Sequence, residues 1–356
     1  MFSPITQYKL TAGYEIPRII KGCWQLSSGH SDVDRSQALS DLGAYIDAGF
    51  TALDCGDIYT GVEELIGDYI RGNRGKKVQI HTKYVPDLDC LDKVDFAGTQ
   101  AVIDRSLLRL GVESLDLVQF HWWDFAVHRY VEVAQHLAAL QKQGKIRHIG
   151  VTNFDGARLQ ELLRAGVPVV SNQVQYSVLD DRPGQDKILR DVCRNHGVRL
   201  LAYGTMAGGF LQESNLGAAP PEPPFQNRSQ TKYHLMIEEF GGWELFQELL
   251  RTLTNIGKKY DVSPSAVASA YVLRCTNVAG VIVGARNQAH LTETILIQRC
   301  SLSPDDVGKI QTVRSKAKGP NGPVYGLERD RDGPHGKIMR YDLNTAVMPR
   351  RELART

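Results

Sequence analysis

Three short apolar runs between residues 52 and 121 each lead to a reactive side chain, and no other feature constrains the fold as much. Ala52 and Leu53 lead to Asp54, with Tyr59 just beyond; Val78-Gln79-Ile80-His81-Thr82 leads to Lys83; Leu115-Asp116-Leu117-Val118-Gln119-Phe120 leads to His121. Runs of this length, rich in aliphatic residues and bounded by turn residues, are the pattern of strands buried in a parallel sheet. Helical spacing fills the intervals, over 62–70 and 99–110. Strand alternating with helix, with a polar residue at each strand's C-terminal end, predicts an α/β chain folded as a (β/α)8 TIM barrel.

The four side chains make one chemical set. A tyrosine hydroxyl ionises near pH ~10, so it donates a proton poorly at neutral pH unless its anion is stabilised. A neighbouring lysine ammonium does that, and an aspartate keeps the lysine charged and in place. A histidine can hydrogen-bond and orient the oxygen being protonated. Asp54, Tyr59, Lys83 and His121 together would polarise a carbonyl. Asp57 is a competing carboxylate, but it lies three residues past the strand end and is assigned to the loop.

The rest of the chain extends the same alternation. Residues 7–20 read as a hairpin around Ala12-Gly13, placed to plug the lower end of a barrel. Residues 18–22 are the first barrel strand. A helix over 34–48 has Asp32 or Asp34 as N-cap, with Ala38, Leu42, Tyr45 and Ile46 on one face. In the third helix Ile103, Leu107, Leu108 and Leu110 are expected to face inward, and Asp104, Arg105 and Arg109 outward. Further strands are read at 148–153, 169–173, 199–203 and 278–283, and helices at 130–143, 243–260 and 264–274. Residues 204–240 carry little periodicity and read as a long loop after the seventh strand, either functional or disordered. The barrel is expected to end near residue 320, leaving 321–356 as a polar extension.

Composition limits the function classes. Forty-two basic against forty acidic residues leave a net charge of +2, so nothing suggests nucleic acid or an anionic membrane as partner. No apolar run approaches the ~20 residues of a membrane span, and the opening residues lack a basic-then-apolar signal region. The six cysteines contain no CxxC pair, which argues against a metal site or a disulfide framework. A cytoplasmic enzyme, monomeric or weakly oligomeric, is the expectation. No GxGxxG follows a strand, so a nicotinamide cofactor would not bind on a doubly wound sheet.

The sequence resembles the aldo-keto reductases. The segments that carry the resemblance are Asp54-Cys55-Gly56-Asp57-Ile58-Tyr59 with Glu63-Glu64-Leu65-Ile66-Gly67, Thr82-Lys83, Leu115 through His121, Gly150-Val151-Thr152-Asn153-Phe154, Asn172-Gln173-Val174-Gln175-Tyr176, and Val283-Gly284-Ala285-Arg286. They occur in family order and span residues from about 18 to about 298. The resemblance implies reduction of an aldehyde or ketone with NADPH, giving NADP+. Its implied cofactor residues are Gly22 and Trp24 in the first upper loop, Thr152, Asn153 and Gln173 at the nicotinamide carboxamide, Tyr203 stacked on the ring, and Gly204 beyond it. Lys232 and Gly208-Gly209 are the candidates for phosphate contacts.

Gly284 and Arg286 are placed at an adenosine 2′-phosphate, where an arginine fork beside a helix N-terminus favours NADPH over NADH. His290, Glu293 and Thr294 stand at the adenine positions, and Thr294 replaces the usual asparagine. Trp24, Trp122 and Trp123 suggest an apolar or aromatic substrate pocket, with one of the latter two packing under the loop. Tyr325, Met339 and Tyr341 would add walls if the C-terminal extension folds across the barrel mouth. Alcohol oxidation, alkene reduction, or a cofactor-binding regulatory subunit with little turnover are the alternative functions.

Overall fold

The computed structural model describes residues 4–27, 33–225, 227–285 and 287–344. An antiparallel hairpin, β1 (Gln7–Thr11) and β2 (Tyr14–Pro17), precedes eight parallel strands: β3 (Ile19–Gly22), β4 (Ala52–Asp54), β5 (Gln79–Tyr84), β6 (Leu115–Phe120), β7 (Ile146–Thr152), β8 (Val169–Gln175), β9 (Arg199–Tyr203) and β10 (Val278–Gly284). These eight close into a barrel in which β10 pairs with both β9 and β3.

The helices are α1 (Arg35–Asp47), α2 (Val62–Gly72), α3 (Phe96–Leu110), α4 (Tyr130–Lys142), α5 (Gly156–Arg164), α6 (Arg182–Gln185), α7 (Lys187–His196), α8 (Arg228–Phe240), α9 (Trp243–Tyr260), α10 (Pro264–Leu273), α11 (Leu291–Leu296), α12 (Pro304–Arg314), α13 (Gly326–Arg329) and α14 (Pro334–Lys337). Among the described residues, no helix is long and apolar enough to cross a membrane.

Side-chain caps start half of these helices. Asp34, Asp95, Asp155, Asp186 and Ser263 each accept a hydrogen bond from a backbone N–H in the first turn, a contact worth ~1 kcal/mol. Ser303 and Asp306 complete a capping box at α12.

The hairpin lies under the barrel. Leu10, Tyr14 and Ile16 pack with the inward-facing Ile20, Ala52, Leu117, Leu201 and Ala279, and the Tyr14 hydroxyl lies 2.9 Å from Nε2 of His81 inside the barrel. Burial pushes the His81 imidazole down to about 4, so this contact joins two neutral groups. The lower end of the barrel is therefore packed, and access is from the strand C-termini.

Two expectations fail. The inward stripe of α3 is Thr99, Ile103, Ser106 and Leu110; Leu108 is 81% exposed. Arg109, expected outside, reaches Glu63 and Glu64 of α2 at 3.3 and 3.0 Å. The stripe runs through a small serine, which apolarity alone does not reveal. The second failure is in the long loop, which contains α8. Tyr233, Met236, Ile237 and Phe240 are its buried face, a spacing of three and four residues overlooked beside the exposed Pro220–Pro224 run.

Beyond α12, residues 323–344 lie over the strand C-termini. Main-chain and side-chain contacts tie this segment to the loops after β5 and β4: Leu88 N–H donates to Tyr341 O at 3.2 Å, and Asn344 Nδ2 donates to Val85 O and to Asp57 Oδ2.

Candidate active site

Successive barrel strands bring the expected residues to one end. In register, Asp54 of β4 pairs with His81 of β5, and Lys83 of β5 with Gln119 of β6. Because side chains alternate along a strand, residues two apart share a face; His81 and Lys83 both point inward, as do Gln119 and His121, the residue after β6. Lys83 and His121 open on a cavity of about 620 Å³ lined by Gly22, Trp24, Asp54, Tyr59, Lys83, His121, Trp123, Thr152, Asn153, Gln173, Tyr203, Gly204, Lys232, Gly284, His290, Glu293 and Thr294, among others. Arg286 lies outside the described residues.

Lys83 Nζ donates to Asp54 Oδ2 at 2.7 Å and to Cys55 O at 2.8 Å. Burial works against the ammonium, but Asp54 and Tyr59 outweigh it and hold Lys83 above its ordinary range. The ammonium sits 4.8 Å from the centroid of the Tyr59 ring, and the indole of Trp24 meets that ring edge-on at 4.7 Å. Burial raises the Tyr59 hydroxyl to about 12, with Lys83 pulling the other way. Lys83 therefore limits a rise that burial would otherwise make larger, and the phenol stays protonated at neutral pH.

Gln119 is a member that the sequence reading passed over. Its Nε2 donates to Asp54 Oδ1 at 2.9 Å, while its Oε1 accepts from Gln173 Nε2 at 2.7 Å. Its position two residues before His121 was the available signal. Gln173, expected at a carboxamide, lines the cavity and gives Nε2 to Asp54 Oδ1 at 2.6 Å. Asp54 thus receives three donors, and Gln173 acts on the lysine's partner.

His121 Nδ1 lies 3.2 Å from Thr152 O. A carbonyl oxygen only accepts, so Nδ1 carries the proton. Burial first, then the Arg329 guanidinium, lower the imidazole to about 3, so the ring is neutral and Nε2 is an unprotonated acceptor. Among the described residues that nitrogen is buried without a partner, as is the Nε1–H of Trp123, whose ring meets His121 edge-on at 4.4 Å. Tyr325, from the C-terminal segment, meets His121 edge-on at 5.5 Å.

Other sequence-derived positions divide. Trp123 lines the cavity, whereas Trp122 is fully buried beneath it, its Nε1 donating to Val127 O at 3.0 Å; Trp122 is core. Tyr203 donates to Asn153 Oδ1 at 2.9 Å. Lys232, expected at a phosphate, pairs with Glu328 at 3.5 Å, and Glu328 also pairs with Arg182, itself bound to Asp180. Lys232 and Arg182 hold the Glu328 carboxyl down at about 2 despite its burial. Tyr325 and Met339 line the cavity, but Tyr341 does not; it packs on Trp123 at 5.0 Å. Thr294 donates to His290 O, and Glu293 accepts from Ser265 Oγ at 2.7 Å.

Two glycines leave room that any side chain would fill. A Cβ at Gly204, whose φ is +86°, would stand 2.5 Å from the Tyr233 hydroxyl, and one at Gly284 would stand 2.1 Å from Gln25 Nε2. Both line the cavity, where backbone can approach a bound molecule closely.

The profile of the Aldo/keto reductase family matches residues 18–315. Flagellar radial spoke protein 5 of Chlamydomonas reinhardtii is 33% identical over 250 residues, 59% of this chain and 47% of that protein, so the chain spans about half the length of that relative. Glyoxal reductase of Bacillus subtilis is 30% identical over 209 residues, covering 58% of this chain and 70% of the relative. An aldo-keto reductase from Klebsiella pneumoniae, solved in complex with NADPH, superposes with a TM-score of 0.66 at 23% identity, covering 90% of this chain and 97% of its own, and shares the barrel fold. The barrel, the polar residues at its strand ends and the matched residues 18–315 agree: this chain belongs to the aldo/keto reductase family.

Proposed function

We propose that this protein reduces an aldehyde or ketone with NADPH, with Tyr59 as proton donor. The observation that carries the reading is the buried Lys83–Asp54 pair set beneath the Tyr59 ring at the floor of a cavity. The residues fit a dinucleotide: Tyr203 and Asn153 stand at one side of the floor, the cradle glycines 204 and 284 flank it, and His290, Glu293 and Thr294 lie further along the same cavity. A structural relative bound to NADPH supports the choice of nucleotide. Bound there, the dihydronicotinamide would supply the hydride.

The chain's own residues do the proton work. As negative charge builds on the carbonyl oxygen, the incipient alkoxide becomes a far stronger base than a phenolate, its conjugate acid ionising well above a phenol. A phenol at about 12 then gives up its proton downhill. Lys83 stabilises the phenolate left behind, while Asp54, held by Gln119 and Gln173, fixes the lysine. Trp24, Tyr325 and Trp123 exclude water from the floor, which strengthens these interactions. Trp123 Nε1–H is a buried donor available to the substrate.

A second reading, oxidation of an alcohol or handling of a hydroxyl-bearing carbonyl, is favoured by the tautomer of His121. A carbonyl oxygen has no hydrogen to give to Nε2. A substrate hydroxyl would donate to it and accept from Trp123, satisfying both orphaned atoms. Fluorescence titration with NADPH and NADH, followed by aldehydes, ketones and their hydroxylated analogues, tests both readings. Tight NADPH binding with its consumption on a carbonyl is expected; no binding of either nucleotide would overturn the proposal.

A further inference from the structure

Asn344 is a buried side chain with every polar atom engaged. Its Nδ2 donates to Asp57 Oδ2 at 3.0 Å and to Val85 O at 2.6 Å, while its Oδ1 accepts from Arg105 Nη2. Its backbone N–H donates to Asp87 Oδ1 at 2.8 Å, and two residues earlier Asp342 Oδ1 accepts from Asp89 N–H at 3.2 Å. A carboxamide offers two N–H hydrogens and one carbonyl oxygen. This place uses all of them, so an apolar replacement would leave buried groups without partners.

Both acceptors of Nδ2 belong to loops that carry the reaction centre. Asp57 stands two residues before Tyr59, and Val85 two residues after Lys83. The buried Asp57 carboxyl also accepts from Ile58 N–H through Oδ1 at 3.0 Å and from Val85 N–H through Oδ2 at 3.1 Å. One carboxyl therefore joins the loop after β4, the loop after β5 and the C-terminal segment. Just before Asn344 in the chain, Ile338, Met339 and Leu343 line the cavity, with Ile58 and Val85 among its other lining residues.

Resting on the reductase reading, we propose that Asn344 is a positioning residue: its bonds to Asp57 and Val85 fix how far the apolar wall of Ile338, Met339 and Leu343 stands from Tyr59, and so set KM for a carbonyl substrate with a bulky apolar body. The joint also responds to protons. Asp57 is faced by Glu63 of α2, Tyr84 of β5 and Arg105 of α3, and Arg109 of α3 donates to its backbone oxygen at 3.2 Å. Burial, then Glu63, raise the carboxyl to about 7, with Asn344, Val85 and Arg105 pulling the other way. Detaching Asn344 admits water to the carboxyl and relieves the burial that raises it. The joined form thus holds its proton more tightly than the detached form, and the joint weakens as Asp57 ionises.

The test uses the full chain, NADPH and two aldehydes: 2-naphthaldehyde, whose rings reach toward the wall, and propanal, which is too short to do so. Asn344→Ala should raise KM for 2-naphthaldehyde roughly tenfold, the scale of losing buried hydrogen bonds. Its kcat on that substrate, its kinetics on propanal and its NADPH binding should stay close to wild type. An equal loss on both aldehydes, or an unchanged KM, would overturn the proposal. In the wild type, KM for 2-naphthaldehyde should climb as pH passes about 7, whereas in Asp57→Asn it should not vary with pH. A wild-type KM that is flat across this range would refute the proton-sensitive joint. Hydrogen exchange in peptides covering 323–344, corrected for the intrinsic effect of pH, reads the joint without turnover. Protection that depends on Asn344, with no reduction of any aldehyde, would leave the joint standing and sink the reductase reading; equal protection in wild type and Asn344→Ala would sink the joint.

Discussion

Arg329 donates through Nη2 to the carbonyl oxygen of Asn153 at 3.0 Å, and through the same nitrogen to that of Trp122, also at 3.0 Å. One guanidinium from the C-terminal segment thereby ties together the backbones that follow β7 and β6. Asn153 has a left-handed backbone, φ 62°, and its side chain accepts from Tyr203. Arg329 also stacks over Phe125 at 4.3 Å. Its charge is the second cause, after burial, that keeps His121 neutral.

Replacing Arg329 with Met should therefore let the His121 imidazole titrate closer to its ordinary range while loosening the Asn153 backbone. NMR titration of the imidazole would report the first effect and steady-state kinetics the second, with an expected loss in kcat/KM of about tenfold or more. A His121 signal that remains fixed in the variant would show that burial alone sets its charge.

Tyr59→Phe removes the only atom assigned to proton donation and little volume. Turnover on carbonyls should fall by roughly 10²–10⁴, whereas the quench of protein fluorescence by NADPH should persist. Retained turnover would reassign the donor.

Glu328 is fully buried and joins Arg182 to Lys232. Glu328→Gln leaves the buried Lys232 without its acid partner, while Arg182 keeps Asp180, and breaking such a pair costs about 3–5 kcal/mol. Urea denaturation should register most of it. A loss below about 1 kcal/mol would mean that water reaches the cluster freely. Truncation after residue 320 would remove Tyr325, Glu328, Arg329 and Met339 together, and unchanged kinetics after that cut would refute a role for the segment in the substrate pocket.

Asp57 gives a pH prediction. Its carboxyl is buried, accepting from Val85 N–H and Asn344 Nδ2, and burial, then Glu63, raises it to about 7. The folded state thus holds a proton that the unfolded chain releases near ~4. Between these values the folded state binds more protons, so this group's stabilising contribution falls as pH rises, at up to ~1.4 kcal/mol per pH unit, and levels off above about 7. Thermal unfolding across pH 4–8 should carry this slope in the wild type and lose it in Asp57→Asn. Identical profiles would indicate an ionised Asp57 throughout.

Much of the barrel was legible because its signals are local. β-branched runs, their terminal polar residues and the cap at Asp34 depend on backbone periods of two and 3.6 residues, which neighbours in sequence control. The same alternation that placed Lys83 and His121 inside also placed Gln119. The face of α3 was misread because Ser106, small and polar, occupies the buried stripe while Leu108 does not.

Sequence alone determined which groups with reactive chemistry stand at the strand ends, since those positions follow from local pattern. Tertiary structure decided their partners. That Gln173 serves Asp54, that Lys232 answers Glu328, that Arg329 holds Asn153, and that His121 presents an acceptor all depend on chain segments distant in sequence meeting where water is excluded. Away from water each polar group must find a partner or pay its full desolvation cost, and only the closed barrel with its C-terminal segment laid across the mouth sets which partners lie within reach.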